Sequence, residues 1–499
     1  SRPKLWSEFE FAKRIVKASN TFAKSSNRFP LTARGKLDTY ALFAETNVKL
    51  LSNAGRAGFI VPTAVATGDS TKAFFAHLTD TNSLVEIVDF ENRHGIFPGV
   101  HRSYKFSLLT LGPAEIADLS FYLTDIGQIE DQRRRFQLTP QEFRLINPNT
   151  RTCPVFRSQA DAELTKKIYR NIPVLIEEDE EGRVVRNAWG VSFKQGLFNM
   201  TSASHLFHTS PAAGRLPLYE AKMIHQFDHR WGTYRSRPNG KGPEIADATL
   251  SERENQHFEP TPRYWVGERD VLARIADAPR AVCRAFAAGD ETALRAAFAN
   301  WIEACEDDSP LRGMANASSR QRVISAGGRH FEALPSRESD WHHTTTQNEA
   351  RKHKPLTRDE LQILQQSQSL LEAASVILDQ RSPRWLMGWR RNARNTDERT
   401  LISSLIPRSG VGDSIFLTFL DDDLQIFLSS ILNSLTLDYI ARQKLGGVNF
   451  SFYYLAQLPV LLPSVLNSAD QAFLKDILLK LTYTSHSLRP WAEHLGFTG

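Results

Sequence analysis

Rings and cations alternate in the stretch PLYEAKMIHQFDHRWGTYRSR, where Tyr219, Phe227, Trp231 and Tyr234 interleave with Lys222, Arg230, Arg235 and Arg237. Aromatic faces stack on bases and cations meet phosphates, so this mixture in a loop-rich region suits contact with nucleic acid. The plainer alternative is an irregular core with arginine stems lying over rings. A second concentration falls within residues 381–408, where seven arginines (381, 384, 390, 391, 394, 399 and 408) occur without a lysine and only Asp397 and Glu398 oppose them. Arginine's fork matches phosphates and guanine edges; the alternative is a solvated, salt-bridged surface. The third candidate is GIFPGVHRSYKFSLLTL, residues 95–111. Here Phe97-Pro98-Gly99 precedes His101, Arg102 and Lys105 at the mouth of an apolar run.

Other motifs carry less. Gly240-Lys241-Gly242 lies between prolines with no strand before it, so it reads as a plain loop, and no Walker-type GKS or GKT occurs. His225 and His229 have the spacing that puts two imidazoles on one helical face, but Gln226 stands where zinc-peptidase chemistry needs glutamate. Glu220-Ala-Lys222 matches half of a magnesium-dependent nuclease core, and the nearest upstream aspartate, Asp179, sits far off in an acidic stretch. No metal site is expected from these residues.

The elements that must position these residues begin with the bulk of the chain. Its 499 residues predict two to four structural units, and 41% hydrophobic with 23% charged residues is an ordinary globular balance. A formal charge of +5 permits a polyanionic partner without requiring one. No apolar run reaches membrane-span length, no signal peptide opens the sequence, and Cys153, Cys283 and Cys305 fit no zinc spacing. The expectation is a reduced, cytoplasmic protein without a membrane partner.

Periodicity predicts an α/β beginning. LDTYALFAETNVKLLS places Leu37, Tyr40, Ala44, Val48 and Leu51 on one helical face, and FIVP reads as a buried strand. Asp69 or Ser70 would cap a helix over STKAFFAHLTD, with strands at LVEIVDF and SYKFSLLTL. Short strands separated by amphipathic helices imply crossover connections. Residues 116–185 read as a polar, helical connector containing DQRRRF and EEDEEGR. Residues 186–355 read as loops and short strands with a helical insertion, and 356–499 as helices with short strands at TLISSLIPR and IFLTFL. DLQIFLSSILNSLTLDYIARQKL is expected as one long helix stopped by Gly446-Gly447.

Several segments, in order, resemble one family. FPLTARGKLDTYALFAETNVKLLSNAGRAGFIVPTAVATGDSTKAFF is similar to the second half of the catalytic domain of restriction–modification adenine-N6 DNA methyltransferases. IFPGVHRSYKFSLLTL resembles the strand-end motif that follows it there. PLYEAKMIHQFDHRWGTY, TDERTLISSLIPRSGVGD and LNSLTLDYIARQKLGGVNFSFYYLAQLPV resemble the C-terminal specificity domain of the large, phage-defence-associated members. The resemblance implies the C-terminal half of a Rossmann-like methyltransferase sheet in residues 1–115, then an α+β target-recognition region. It implies that Phe97, backed by Pro98, stacks on an adenine turned out of double-stranded DNA. It places His101, Arg102 and Lys105 near the DNA backbone. In the specificity half it implies DNA contacts from Lys222, Arg230, Arg235, Arg390, Arg391, Arg394, Arg399, Arg442, Lys444 and Asn449. The family's cofactor is S-adenosyl-L-methionine, held by a glycine loop, and an Asn/Asp-Pro-Pro-aromatic segment holds the adenine amine. Neither motif occurs in this sequence: INPNT lies after the strands and lacks the second proline and the ring. The expectation is therefore a chain that supplies no catalytic motif and needs the N-terminal part of a methylase, or a complementary subunit, for turnover. The alternatives are a DNA-binding specificity module without chemistry and a magnesium-dependent restriction endonuclease centred on Glu220.

Overall fold

A computed structural model of the chain describes residues 3–35, 37–179, 181–237, 242–304, 349–350 and 352–499. It is a mixed α/β structure with several sheets. Two compact units divide it: Ser1–Ser192 with Arg391–Ile402 and Leu420–Leu474, and Phe193–Arg390 with Ser403–Phe419 and Lys475–Gly499. Cys305 and most of the Gly240-Lys241-Gly242 loop lie outside the described residues.

The first unit opens with α1 (Pro3–Ser25), a helix in which only Ala23 is buried. At 100° per residue, Leu5, Phe9, Phe11, Ile15, Val16 and Phe22 share one half of its circumference, while Lys13, Arg14, Lys17 and Lys24 share the other. That apolar half is exposed. Next come α2 (Thr39–Leu50), β1 (Ala57–Pro62), α3 (Ala64–Thr67), α4 (Lys72–Asp80), β2 (Leu84–Glu91), β3 (Lys105–Leu111), β4 (Ala117–Leu123) and β5 (Arg135–Leu138). The five strands form one sheet in the order β1-β3-β2-β4-β5.

β3 is antiparallel to both β1 and β2, so β1 and β2 run the same way and α3 and α4 make the crossover between them. β2 pairs parallel with β4, and β4 antiparallel with β5. Crossovers thus account for part of the sheet and antiparallel pairing for the rest. The helix expected from STKAFFAHLTD buries Phe74, Phe75 and Leu78. Its start differs: Asp69 and Ser70 form a 3-10 turn, and no side chain caps the helix at Thr71.

FIVP is not a buried strand. β1 is the sheet's edge, and Ile60 is 54% exposed. The stretch expected as a helical connector contributes β4 and β5. In ADLSFYL and RFQL, Leu119, Phe121 and Phe136 lie inside, while Asp118 and Gln137 on the other face are partly or fully exposed. Beyond it lie α5 (Pro140–Ile146), with a Thr139/Glu142 capping box and Pro140 in its first turn, and α6 (Gln159–Asn171), capped by Ser158. The long helix expected near residue 430 is two, Asp422–Leu432 and Leu435–Lys444, bent by 72°. The Ser434 hydroxyl accepts the Leu437 N–H at 3.2 Å and starts a new helix where the pattern alone reads as continuous. Among the described residues no single helix is long and apolar enough to cross a membrane.

In the second unit, Trp385–Arg390 pairs antiparallel with Ser403–Pro407 and with Ile415–Phe419, as TLISSLIPR and IFLTFL predict. Gly232–Ser236 and Pro243–Asp247 form a hairpin. The helical insertion packs Val282, Phe286, Leu294, Phe298 and Trp301 against Ala373 and Ile377.

Candidate nucleic-acid interface at the sheet end

β2 and β4 run parallel, and the carboxyl ends of parallel strands are where α/β sheets present ligand-binding loops. Here β2 ends in Asp89-Phe90-Glu91 and β4 in Phe121-Tyr122-Leu123. Asp89 is buried; its Oδ1 accepts the hydroxyls of Thr63, just beyond β1, and of Ser107 on β3, the latter at 2.9 Å. Burial pushes its carboxyl pKa up to about 6, against the pull of those hydroxyls and of Lys105.

Residues 92–104 join β2 to β3. Asn92, fully buried, folds this loop over itself: its amide donates to the carbonyls of Phe97 (3.0 Å) and Val100 (2.8 Å), and its Oδ1 accepts the Phe97 N–H at 2.9 Å. Gly95 takes a left-handed φ of 75°, and a Cβ there would collide with the Arg102 guanidinium. Phe97 meets Phe106 edge-on at 4.8 Å, and Phe106 stacks on Phe90 at 5.3 Å. One side of the Phe97 ring is thereby fixed while 37% of the residue stays exposed. Pro98, His101 and Arg102 are exposed around it, with His101 Nδ1 against Ser103 Oγ at 2.8 Å. Lys105 is half-buried, paired with Glu91 at 3.2 Å and 4.8 Å from the Tyr122 ring centre.

A hollow of about 650 Å³ opens at these strand ends, walled by Glu91, Arg93, Tyr122, Asp131, Arg133, Arg134, Arg157, Ser158 and Thr396 among others. Tyr122 has a left-handed φ of 63°, and burial raises its hydroxyl pKa. Arg133 holds the half-buried Asp131 carboxyl down at about 2.

The residues expected to contact DNA fall into three groups. Arg391, Arg394, Arg399, Arg442 and Asn449 come together in the first unit: Phe450 N–H donates to Arg391 O at 2.7 Å, and Ala393 N–H to Val448 O at 3.1 Å. Arg442 braces this segment through the carbonyls of Asn395 (3.1 Å) and Glu398 (2.9 Å), leaving Arg394 exposed and Arg399 half-buried. Lys222 and Arg235 are exposed in the second unit, Arg235 paired with Glu252 at 2.7 Å.

The third group is corrected by the structure. Lys444 is buried and donates to Ile146 O at 2.7 Å and to Asn147 Oδ1, capping the end of α5; burial drives its pKa well down. Arg230 is 1% exposed, its guanidinium donating to the carbonyls of Arg253 (2.6 Å), Asn255 (2.8 Å) and Phe258 (3.1 Å). Arg390, half-buried, donates to Ile224 O at 2.9 Å through Nε. Groups turned inward onto main-chain acceptors are structural, and these three leave the list of DNA contacts.

The neighbouring motifs behave similarly. His225 and His229 lie in a loop, not on a helix. His229 is buried against the Ser485 and Ser487 hydroxyls, both at 3.2 Å. Glu220 accepts the Tyr234 hydroxyl at 3.0 Å. Among the described residues no three His, Cys, Asp or Glu side chains group to hold a metal ion. The sequence reading missed Asp89, Asn92, Tyr122 and the wall arginines Arg93, Arg133, Arg134 and Arg157. DQRRRF was visible as a basic run; the others have no local signature.

Residues 13–97 match the Eco57I restriction-modification methylase family, a segment running from inside α1 to Phe97. No curated protein matches the chain. Among solved structures, the type IIG restriction endonuclease BpuSI is similar at 12% identity over 93% of this chain and 49% of that one, with a TM-score of 0.26. The chain spans about half the length of that protein, and a superposition so loose carries no structural argument. The family match marks residues 13–97 as a segment similar to restriction-modification methylases.

Proposed function

We propose that this chain is part of a site-specific DNA adenine-N6 methyltransferase of a restriction–modification or phage-defence system, supplying a platform for the extruded adenine and a surface for its DNA. The observation that carries this reading is Phe97: a ring held edge-on by Phe106 with 37% of the residue exposed, at the end of the family-matched segment. Methylating an exocyclic amine requires the base outside the duplex, and a fixed aromatic face holds it there. Double-stranded DNA is the partner, met by His101, Arg102 and Lys105 around the platform and by Arg391, Arg394, Arg399 and Asn449, with Arg442 bracing their segment through its carbonyls instead of touching DNA. Lys222 and Arg235 are the candidates in the second unit.

S-adenosyl-L-methionine supplies the methyl group in this chemistry. The sheet end of this chain does not fit it: the hollow presents four arginines against two carboxylates, a net positive wall that repels a sulfonium cation. We assign the cofactor to the remaining part of a methylase, in Rossmann-like continuation of the sheet. The unpaired β1 edge and the uncovered apolar half of α1 are where that part would join, since exposed edges and apolar helix faces are ordinarily covered. The test is methyl transfer from labelled S-adenosylmethionine into duplex DNA by the complete or reconstituted enzyme, with the product base identified after digestion. N6-methyladenine is expected. A methylated cytosine, or no transfer by the reconstituted enzyme, would overturn the assignment.

A further inference from the structure

The hollow at the ends of β2 and β4 has no part in holding the base, yet its wall carries more cations than carboxylates. Its wall carries Arg93, Arg133, Arg134 and Arg157 against two carboxylates, Glu91 and Asp131. Arg93 pairs with Glu91 at 3.4 Å, and Arg133 and Arg134 pair with Asp131 at 2.8 and 3.5 Å; such partly solvated pairs are worth little and exchange readily for a stronger anion. Arg157 has no carboxylate partner among the described residues; its guanidinium stands 5.2 Å from the Tyr122 ring centre, which holds the fork out at the rim. Tyr122 sits in left-handed backbone, a conformation costing about 1 kcal/mol or more and concentrated at ligand sites. Ser158, also on the wall, is the N-cap of α6, so the positive end of a 13-residue helix adds to the field. Forked donors, a helix start and a hollow of about 650 Å³ match a tetrahedral oxyanion on a bulky carrier.

The geometry points to a phosphodiester seat: Arg157, Arg134 and Arg93 clamp one backbone phosphate of the bound duplex beside the platform loop. This rests on the DNA methylase reading and extends it, because clamping a phosphate fixes the strand that must swing its base outward. The clamp is sequence-independent and holds register only.

The test is duplex binding by the chain, followed by anisotropy across a salt series. Arg157→Gln and Arg134→Gln are each expected to shrink the slope of log affinity against log salt by about one unit, equally for unrelated duplexes. Arg157→Lys, keeping the charge, is expected to restore the slope. Arg183→Gln, at an exposed arginine paired with Asp179 and Glu181, is expected to leave it unchanged. An unchanged slope in folded Arg157→Gln protein, or an equal drop in Arg183→Gln, overturns the seat while leaving the methylase reading intact. Displacement of the duplex by inorganic phosphate at constant ionic strength would assign the hollow to a free anion and overturn it too. A chain that binds no duplex at all sinks both.

Discussion

The loop after β2 and the stretch around residue 230 have the same ingredients in sequence, rings interleaved with cations, and opposite fates in the fold. Around Phe97 the polar work is done by a neutral buried amide, Asn92, so the cations stay outside. Around Trp231 the polar work is done by a cation: Arg230 satisfies three loop carbonyls, while Arg253 and His225 each lie 4.3 Å from the Trp231 ring. Alternation of aromatic and basic residues therefore does not distinguish a nucleic-acid surface from an irregular core. What distinguishes them is the presence of unmet main-chain acceptors within reach of the guanidinium.

The sharpest contrast comes from truncating one arginine in each region. Arg230→Ala empties a buried side-chain site and takes the donor from three loop carbonyls, and it is expected to cost about 3–5 kcal/mol in denaturant unfolding. Arg157→Ala, exposed at the hollow's rim, should stay within about 0.5 kcal/mol. Equal costs would erase the distinction.

Beneath the platform, Asp89 makes the first region pH-sensitive. Its carboxyl holds a proton more tightly folded than unfolded, 3.8 rising to about 6. Its contribution to stability is full below about pH 4 and is lost as the pH climbs through about 6. Asp89→Asn keeps the acceptor for Thr63 and Ser107 and removes the titration. It should match the wild type at pH 4 and exceed it by up to about 3 kcal/mol at pH 8. A difference that does not vary with pH would contradict the burial of this carboxylate.

Asn92→Ala removes all three bonds that shape the loop. It should cost about 2–3 kcal/mol and speed hydrogen exchange at the Phe97 amide, which loses its acceptor. The paired strands Gly232–Ser236 and Pro243–Asp247 should not respond.

How much of this was legible follows the range of the interactions. Periodicity gave the helix over residues 72–80 and the strands 84–91 and 105–111, because their apolar faces are encoded locally. β4 and β5 were hidden by their alternation: ADLSFYL carries polar side chains on one face and reads as surface. The bend at Ser434 was hidden because both halves keep apolar faces. The family resemblance proposes a role for Phe97 that remains to be measured, and the family match runs over residues 13–97. Nothing local marks Asp89, Asn92 or Tyr122, whose partners come from other strands and loops. Nor could the 381–408 arginines be sorted by type: Arg381 is locked on Glu360 at 2.7 Å, Arg390 on Ile224, and Arg394 is exposed. Identity sets what an arginine can bind, and chain topology decides which acceptor it meets.

The most direct test is Phe97→Ala in the complete enzyme, with methyl transfer and duplex affinity measured on the same preparation. Loss of one base-stacking face, worth about 2 kcal/mol, should lower kcat/KM for methylation about thirtyfold, leave duplex affinity unchanged, and be recovered in Phe97→Tyr. Undiminished turnover in Phe97→Ala would contradict the platform and the adenine reading built on it.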